Sequence, residues 1–163
     1  FLPPFVPICK CAPYFPRFAV KFRFFMADHV VTTRFEGGMR FTSHLDNHTI
    51  IIDTTEENGG TNMGPRPKKL MLSSLAGCTG IDVVGMLNKM RVEFSDFSMD
   101  IEADLTEETP KTYEWVKITY KIKVKEEDQE KVQKAVTMSK EKYCGVSAMF
   151  AAFAEIEYEI EYL

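Results

Sequence analysis

The sequence predicts an α+β domain with the element order βββ–α–ββ–α–β. Three observations carry that expectation. The C-terminal run AEIEYEIEYL places Ile156, Tyr158, Ile160 and Tyr162 on one face and four glutamates on the other, the period of a half-buried strand. Strand-type segments outnumber helical ones and mostly connect locally. The stretch SSLAGCTGIDVVGML (73–87), by contrast, lies in a segment of helical character that is apolar most of the way round and rich in small residues.

Taken in order, residues 29–37 (HVVTTRFEG), 39–46 (MRFTSHLD) and 48–54 (HTIIIDT) are β-rich, and Gly37-Gly38 and Asp46-Asn47 mark the turns between them. They predict a three-stranded meander. Residues 56–67 hold three glycines, two prolines and two asparagines and read as a loop. A helix is expected over 68–90. Leu70, Leu75, Ile81, Val83, Val84 and Leu87 do not fall on one narrow stripe, and Gly77, Gly80 and Gly85 would each weaken an exposed helix by about 1 kcal/mol. Such a helix is normally buried with other backbone close by. Strands are expected at 94–104 and 112–125, joined by a hairpin connection at TEETPK. Residues 126–143 predict a second helix, acidic at its start and basic near its end. Val132, Val136 and Ser139 recur at helical spacing, with Tyr143 continuing that face.

The 163 residues suffice for one domain with a real core. Residues 1–25 carry four basic side chains, no acidic one and five of the eight prolines, whereas the rest has a net charge of −8. The domain is therefore taken as 26–163. Residues 1–25 are read as an appendage outside the fold: an expression scar, a mis-called start or a targeting segment. The net charge of −4 argues against nucleic acid as a partner. No uninterrupted apolar run approaches roughly 18 residues, so no membrane-spanning helix is expected. The expected setting is the cytoplasm, with an organelle as the alternative if 1–25 targets the chain.

Two cysteines of the domain, Cys78 and Cys144, sit in matching contexts, AGCTG and YCGVSA. Free cysteine packs well as a small core residue. A thiol at a helix start is instead activated, and the Tyr143-Cys144-Gly145 break places Cys144 at such a start. Both readings stand on the residues alone. Cys9 and Cys11 lack a second ligand pair, and His29, His44 and His48 have no ligand spacing, so neither a metal nor a bound cofactor is expected. The sequence contains no GxSxG, HExxH, phosphate loop or GxGxxG. Two cysteines without a suitable histidine point toward redox chemistry, in which one thiolate becomes a sulfenic acid and the other condenses with it. The first thiolate needs a cation, and Arg34, Arg40 and Arg66 precede the helix.

Residues 64–87 (GPRPKKLMLSSLAGCTGIDVVGML) and 141–160 (EKYCGVSAMFAAFAEIEYEI) together resemble the OsmC/Ohr family of organic hydroperoxide reductases. The closest likeness is to the subgroup with GCxxIDVV and KYCxVxxM motifs, and it extends over about 27–163. The resemblance implies an OsmC-like fold forming an intertwined homodimer, with two central helices packed between sheets and active sites at the subunit interface. It further implies Cys78 as the peroxidatic cysteine, Cys144 as the resolving one and Arg40, in EGGMRF, as the pocket arginine, with Arg34 as the alternative. An organic hydroperoxide would be the substrate and an external dithiol the reductant. Leu75, Ile81, Val146, Met149 and Phe150 flank the cysteines and are expected to line an apolar substrate pocket. The sequence departs from the family at Pro67-Lys68-Lys69-Leu70, where Lys69 replaces the usual acidic residue of a P-x-E-L pattern. Two other readings use the same scaffold: a non-catalytic protein that binds a small apolar ligand, and a reversible redox sensor.

Overall fold

The computed structural model of the chain describes residues 27–163. The appendage 1–25, with Cys9 and Cys11, lies outside the described residues. Six strands form two separate sheets: β1 (Val31–Gly37), β2 (Arg40–Leu45) and β3 (His48–Ile52) in one, and β4 (Phe94–Leu105), β5 (Tyr113–Val124) and β6 (Glu155–Tyr162) in the other. Three helices accompany them: α1 (Pro67–Lys89), α2 (Gln129–Met138) and α3 (Gly145–Phe150). The mixed α+β architecture agrees with the expected class.

The first sheet is an antiparallel meander in which Phe35 pairs with Phe41 and Phe41 with Ile52. Strand alternation gathers Val31, Phe35, Phe41, Leu45, Ile50 and Ile52 on one face. Arg34 and Arg40 fall on the other. Every residue of β1 is exposed. The following loop is pinned by one carboxylate. Buried Asp53 accepts hydrogen bonds from the amides of Thr54 (2.8 Å), Thr61 (3.0 Å) and Met63 (3.1 Å) and from the Thr61 hydroxyl (2.7 Å). Gly60 and Gly64 are needed there, because a Cβ at either would run into the backbone of Thr54 or Ile51.

The second sheet carries the core. β5 is central, antiparallel to β4 and parallel to β6. A parallel neighbour requires a crossover, and α2 and α3 provide it. Val116, Ile118, Tyr120 and Ile122 of β5 pack with Leu75, Val83 and Leu87 of α1, Val132, Ala135 and Val136 of α2, and Phe150 of α3. Burying each larger side chain contributes roughly 1.5–3 kcal/mol. α1 begins with Pro67 at its first position, where the missing N–H costs no helical hydrogen bond. It ends in a Schellman arrangement: the Val92 amide donates to Leu87 O (3.0 Å) and the Arg91 amide to Asn88 O (3.1 Å). Arg91 supplies the left-handed residue at φ 55°, a conformation usually given to glycine.

Three features differ from the sequence reading. The expected helix over 126–143 is a 3₁₀ turn at Glu126–Asp128, then α2, then one π-helical turn at Ser139–Tyr143. The π turn adds a residue to the winding, so Tyr143 leaves the inward face of Val132, Val136 and Ser139 and is 51% exposed. The helix start expected at Cys144 is present as a separate short helix, α3, which the expected element order did not include. Finally, α1 is long and apolar enough by length and composition to cross a membrane, because Gly, Ser and Thr interrupt the apolar run without adding charge. Here it serves as a core helix, with Leu75, Thr79, Val83 and Leu87 buried.

Candidate active site

α1 runs unbroken through Gly77, so Cys78 lies in mid-helix and gains nothing from the start of its own helix. It is half-buried. Asp82 follows one turn later, and the i, i+4 spacing puts its carboxylate on the same face as the thiol. Cys144 arrives from the far side of the crossover. The π turn closes with the Cys144 amide donating to Ser139 O (2.9 Å), and Cys144 then caps α3, its Sγ accepting from the Ser147 amide at 3.3 Å. The two Sγ atoms and a carboxylate oxygen of Asp82 all lie within 4.8 Å of one another. This is the sole cluster among the described residues in which three such groups come close enough to share an ion. A closed metal site needs a fourth ligand, and the cluster brings only these three groups together.

Behind the sulfurs runs a buried row of hydroxyls. Tyr120 OH lies 2.5 Å from Thr79 Oγ1, Thr79 Oγ1 lies 3.0 Å from Ser139 Oγ, and Ser139 Oγ donates to Asp82 Oδ2 at 3.1 Å. It draws on β5, α1 and the π turn together. Burial pushes the Tyr120 phenol well above its ordinary range, with the Thr79 hydrogen bond opposing.

Burial also pushes the Cys78 thiol up, and the Cys144 thiol and the Asp82 carboxylate push the same way. The Val146 amide, from the first turn of α3, acts against them. Neither a guanidinium nor an ammonium is among these influences. Arg40 lies in β2 of the other sheet. Lys69 precedes Cys78 by nine residues, about 14 Å along a helix axis, so within one chain it does not neighbour the thiol.

The five residues expected to line a pocket lie in different places. Leu75 and Phe150 are buried in the core, where Phe150 stacks on Tyr113 with centroids 6.1 Å apart. Val146 packs partly against that core and presents its amide to Cys78. Met149 is 68% exposed. Ile81 is 76% exposed and, with Asp82, lines a cavity of about 430 Å³ between α1 and the α2–π segment. Met86, Met90 and Met138 supply its apolar wall, and Lys89, Lys134 and Tyr143 also reach it. Asp82, Thr79, Ser139 and Tyr120 were absent from the expected site. For Asp82 the available signal was its position one turn after Cys78; the other three show no such spacing.

Comparison with known proteins shows the family and the fold. The family described as OsmC-like protein matches residues 59–159. Protein YhfA of Escherichia coli K12 is 29% identical over 114 residues, covering 70% of this chain and 82% of that protein. The crystal structure of a hypothetical protein from Aquifex aeolicus VF5 superposes with a TM-score of 0.69 at 29% identity, over 85% of this chain and 99% of that one. The organic hydroperoxide resistance protein OhrB of Bacillus subtilis shares the fold, with a TM-score of 0.55 at 21% identity over 82% of this chain and 97% of that one. A long apolar helix carrying one cysteine, a second cysteine capping a short helix beside it, and a family match across both: the chain belongs to the OsmC-like protein family.

Proposed function

We propose that the protein reduces organic hydroperoxides with Cys78 as the attacking thiol and Cys144 as the resolving thiol. The observation that carries this reading is the convergence of the two sulfurs within 4.8 Å from elements 66 residues apart. Membership of the OsmC-like family, and a fold shared with a protein named for organic hydroperoxide resistance, support it. The Cys78 thiolate attacks the terminal peroxide oxygen and becomes a sulfenic acid, releasing an alcohol. Cys144 condenses with it to a disulfide, releasing water. An external dithiol then restores both thiols by exchange. The sulfurs must close to roughly 2.05 Å. The π turn and α3, both short and meeting at Cys144, are the segment that would supply this movement.

The reading includes a homodimer and the GCxxIDVV subgroup. Two surfaces of the single chain favour a second copy. Val31, Phe35 and Phe41 lie exposed on one face of the first sheet. Ile81 is exposed on α1, and a Cβ at Gly77 or Gly85 would meet nothing within 4 Å. Close helix packing against a second α1 accounts for that clearance. A partner would also supply the missing cation, for which Arg40 is our assignment. Its guanidinium would lower the thiol that burial and Asp82 raise in the single chain.

The raised Cys78 thiol and the cavity beside Asp82 favour a second reading, a small-ligand binding protein whose cysteines only pack. One experiment separates the two. Pre-reduced protein is mixed with cumene hydroperoxide in a stopped-flow instrument, with Cys78→Ser and Cys144→Ser beside it, and the products are analysed by mass spectrometry. The peroxidase reading expects fast consumption of one equivalent, a Cys78–Cys144 disulfide and complete loss in Cys78→Ser. A rate no greater than that of free cysteine, with no disulfide, selects the binding reading. Arg40→Ala is expected to slow the reaction and raise the Cys78 thiol.

A further inference from the structure

The hydroxyl row behind the sulfurs has a direction, which counting protons fixes. Each hydroxyl has a single proton to donate. Ser139 spends its own on the Asp82 carboxylate, so in the Thr79–Ser139 pair Thr79 is the donor. Thr79 then has nothing left to give, and Tyr120 must donate to it. All three residues are fully buried, so water does not substitute for any link. The row therefore runs one way, from Tyr120 through Thr79 and Ser139 to Asp82. It delivers a hydrogen bond to Oδ2 and leaves the other acceptor sites of the carboxylate free. Asp82 also lies within 4.8 Å of both sulfurs, which is within reach directly or through one water. The other groups facing it are Lys89 of α1, Lys134 of α2 and Tyr143 of the π turn, which line the same cavity.

We propose that Asp82 is the proton carrier for both thiols, held in place by the directed row Tyr120–Thr79–Ser139. The proposal deepens the peroxidase reading and rests on it. In the first step the Cys78 S–H bond breaks and its proton passes to Asp82. The sulfur forms a bond to the terminal peroxide oxygen, the O–O bond breaks, and Asp82 gives the proton to the departing alkoxide. Sulfur is oxidised to the sulfenic acid and the peroxide is reduced to an alcohol. In the second step the Cys144 proton travels through the same carboxylate to the departing hydroxide. The S–S bond forms, the S–O bond breaks and water leaves. An alkoxide is a poor leaving group, so the proton matters to the rate. As an anion, Asp82 also opposes thiolate formation at Cys78. Its position beside the thiol is accounted for if it moves protons.

That double character gives a test with opposite signs. Asp82→Asn keeps an acceptor for Ser139 and removes both the charge and the base. Oxidation of the variant by cumene hydroperoxide is compared with its alkylation by iodoacetamide, whose iodide leaving group needs no proton. Alkylation is expected to be as fast as wild type or faster, because a repelling charge has gone. Peroxide oxidation is expected to slow, so that the ratio of the two rates falls on the order of 100-fold. Ser139→Ala leaves the carboxylate but unties it, and the ratio is expected to fall about fivefold, the worth of one net hydrogen bond. If both rates rise together and the ratio stays at the wild-type value in both variants, Asp82 is a bystander and the proposal fails while the peroxidase reading stands. If wild-type protein itself reacts with the peroxide no faster than free cysteine, the peroxidase reading fails and the proposal falls with it.

Discussion

Replacing Thr79 with valine tests how much the buried hydroxyl row contributes to the fold. Valine keeps the shape of the side chain, so no cavity opens and the whole effect comes from Oγ1. That atom makes two hydrogen bonds, 2.5 Å to Tyr120 OH and 3.0 Å to Ser139 Oγ, in a place with no solvent. Each bond is worth about 1 kcal/mol net, and a buried donor left without an acceptor costs about 1–3 kcal/mol. Ser139 keeps Asp82 as an acceptor, so the stranded donor is the Tyr120 hydroxyl. The expected loss is about 2–4 kcal/mol, or roughly 5–15 °C in Tm for a domain of this size. Urea unfolding at one fixed protein concentration measures it, since association would otherwise add to the apparent stability. Tyr120→Phe supplies the second corner of a double-mutant cycle, and the pair is expected to couple by about 1 kcal/mol or more. A Thr79→Val loss below about 0.5 kcal/mol, or strict additivity with Tyr120→Phe, would refute the hydroxyl row as drawn.

Three further outcomes are expected. The Asp53 carboxyl is lowered from the ordinary 3.8 to about 2, first by the Thr61 hydroxyl and then, against the cost of burial, by the amides of Met63, Thr54 and Thr61. A depressed carboxyl stabilises fully above about pH 4 and less as pH falls toward 2, so the Thr61 and Met63 amide resonances should move across that window and stay still above it; flat shifts throughout would contradict the pinned loop. Arg91→Gly relieves a left-handed residue at the end of α1 and is expected to stabilise the protein by about 1 kcal/mol, read by urea unfolding; a loss instead would mean the arginine side chain holds something in place. A Cβ at Gly77 meets nothing within 4 Å, so Gly77→Leu should leave far-ultraviolet circular dichroism intact while light scattering reports the loss of the proposed dimer; scattering unchanged from wild type would refute an interface on this face of α1.

The six strands were legible because their alternation is local: Ile156, Tyr158 and Ile160 announce β6 without reference to anything else. That β6 runs parallel to β5 was not, since sheet order depends on how far a crossover carries the chain. Cys144 at a helix start was legible from the Tyr143-Cys144-Gly145 break. The π turn before it was not. Its extra residue leaves the spacing of Val132, Val136 and Ser139 untouched and rotates only the residues beyond Ser139, which is why Tyr143 was assigned to the wrong side. Within the site, the thiols stood out by type and context, whereas Thr79 and Ser139 look like ordinary polar residues. Their meaning comes from contacts spanning 41 and 60 residues of sequence, which no local pattern carries.

Cys144 caps α3 through the same atom that would form the disulfide. Its sulfur accepts the Ser147 amide while reduced, and a sulfur drawn toward Cys78 is drawn away from that amide. If the proposed disulfide forms, the redox state of the pair would be written into the order of one short helix. α3 ends at Phe150, which is packed between Tyr113 and Phe153, so an uncapped α3 loosens one corner of the core. The oxidised chain would then differ from the reduced one in shape as well as in bonding. Under the proposed peroxidase function, a reductant that recognises the loosened corner would find its substrate only after turnover and ignore the resting protein, and the helix cap would mark the spent form.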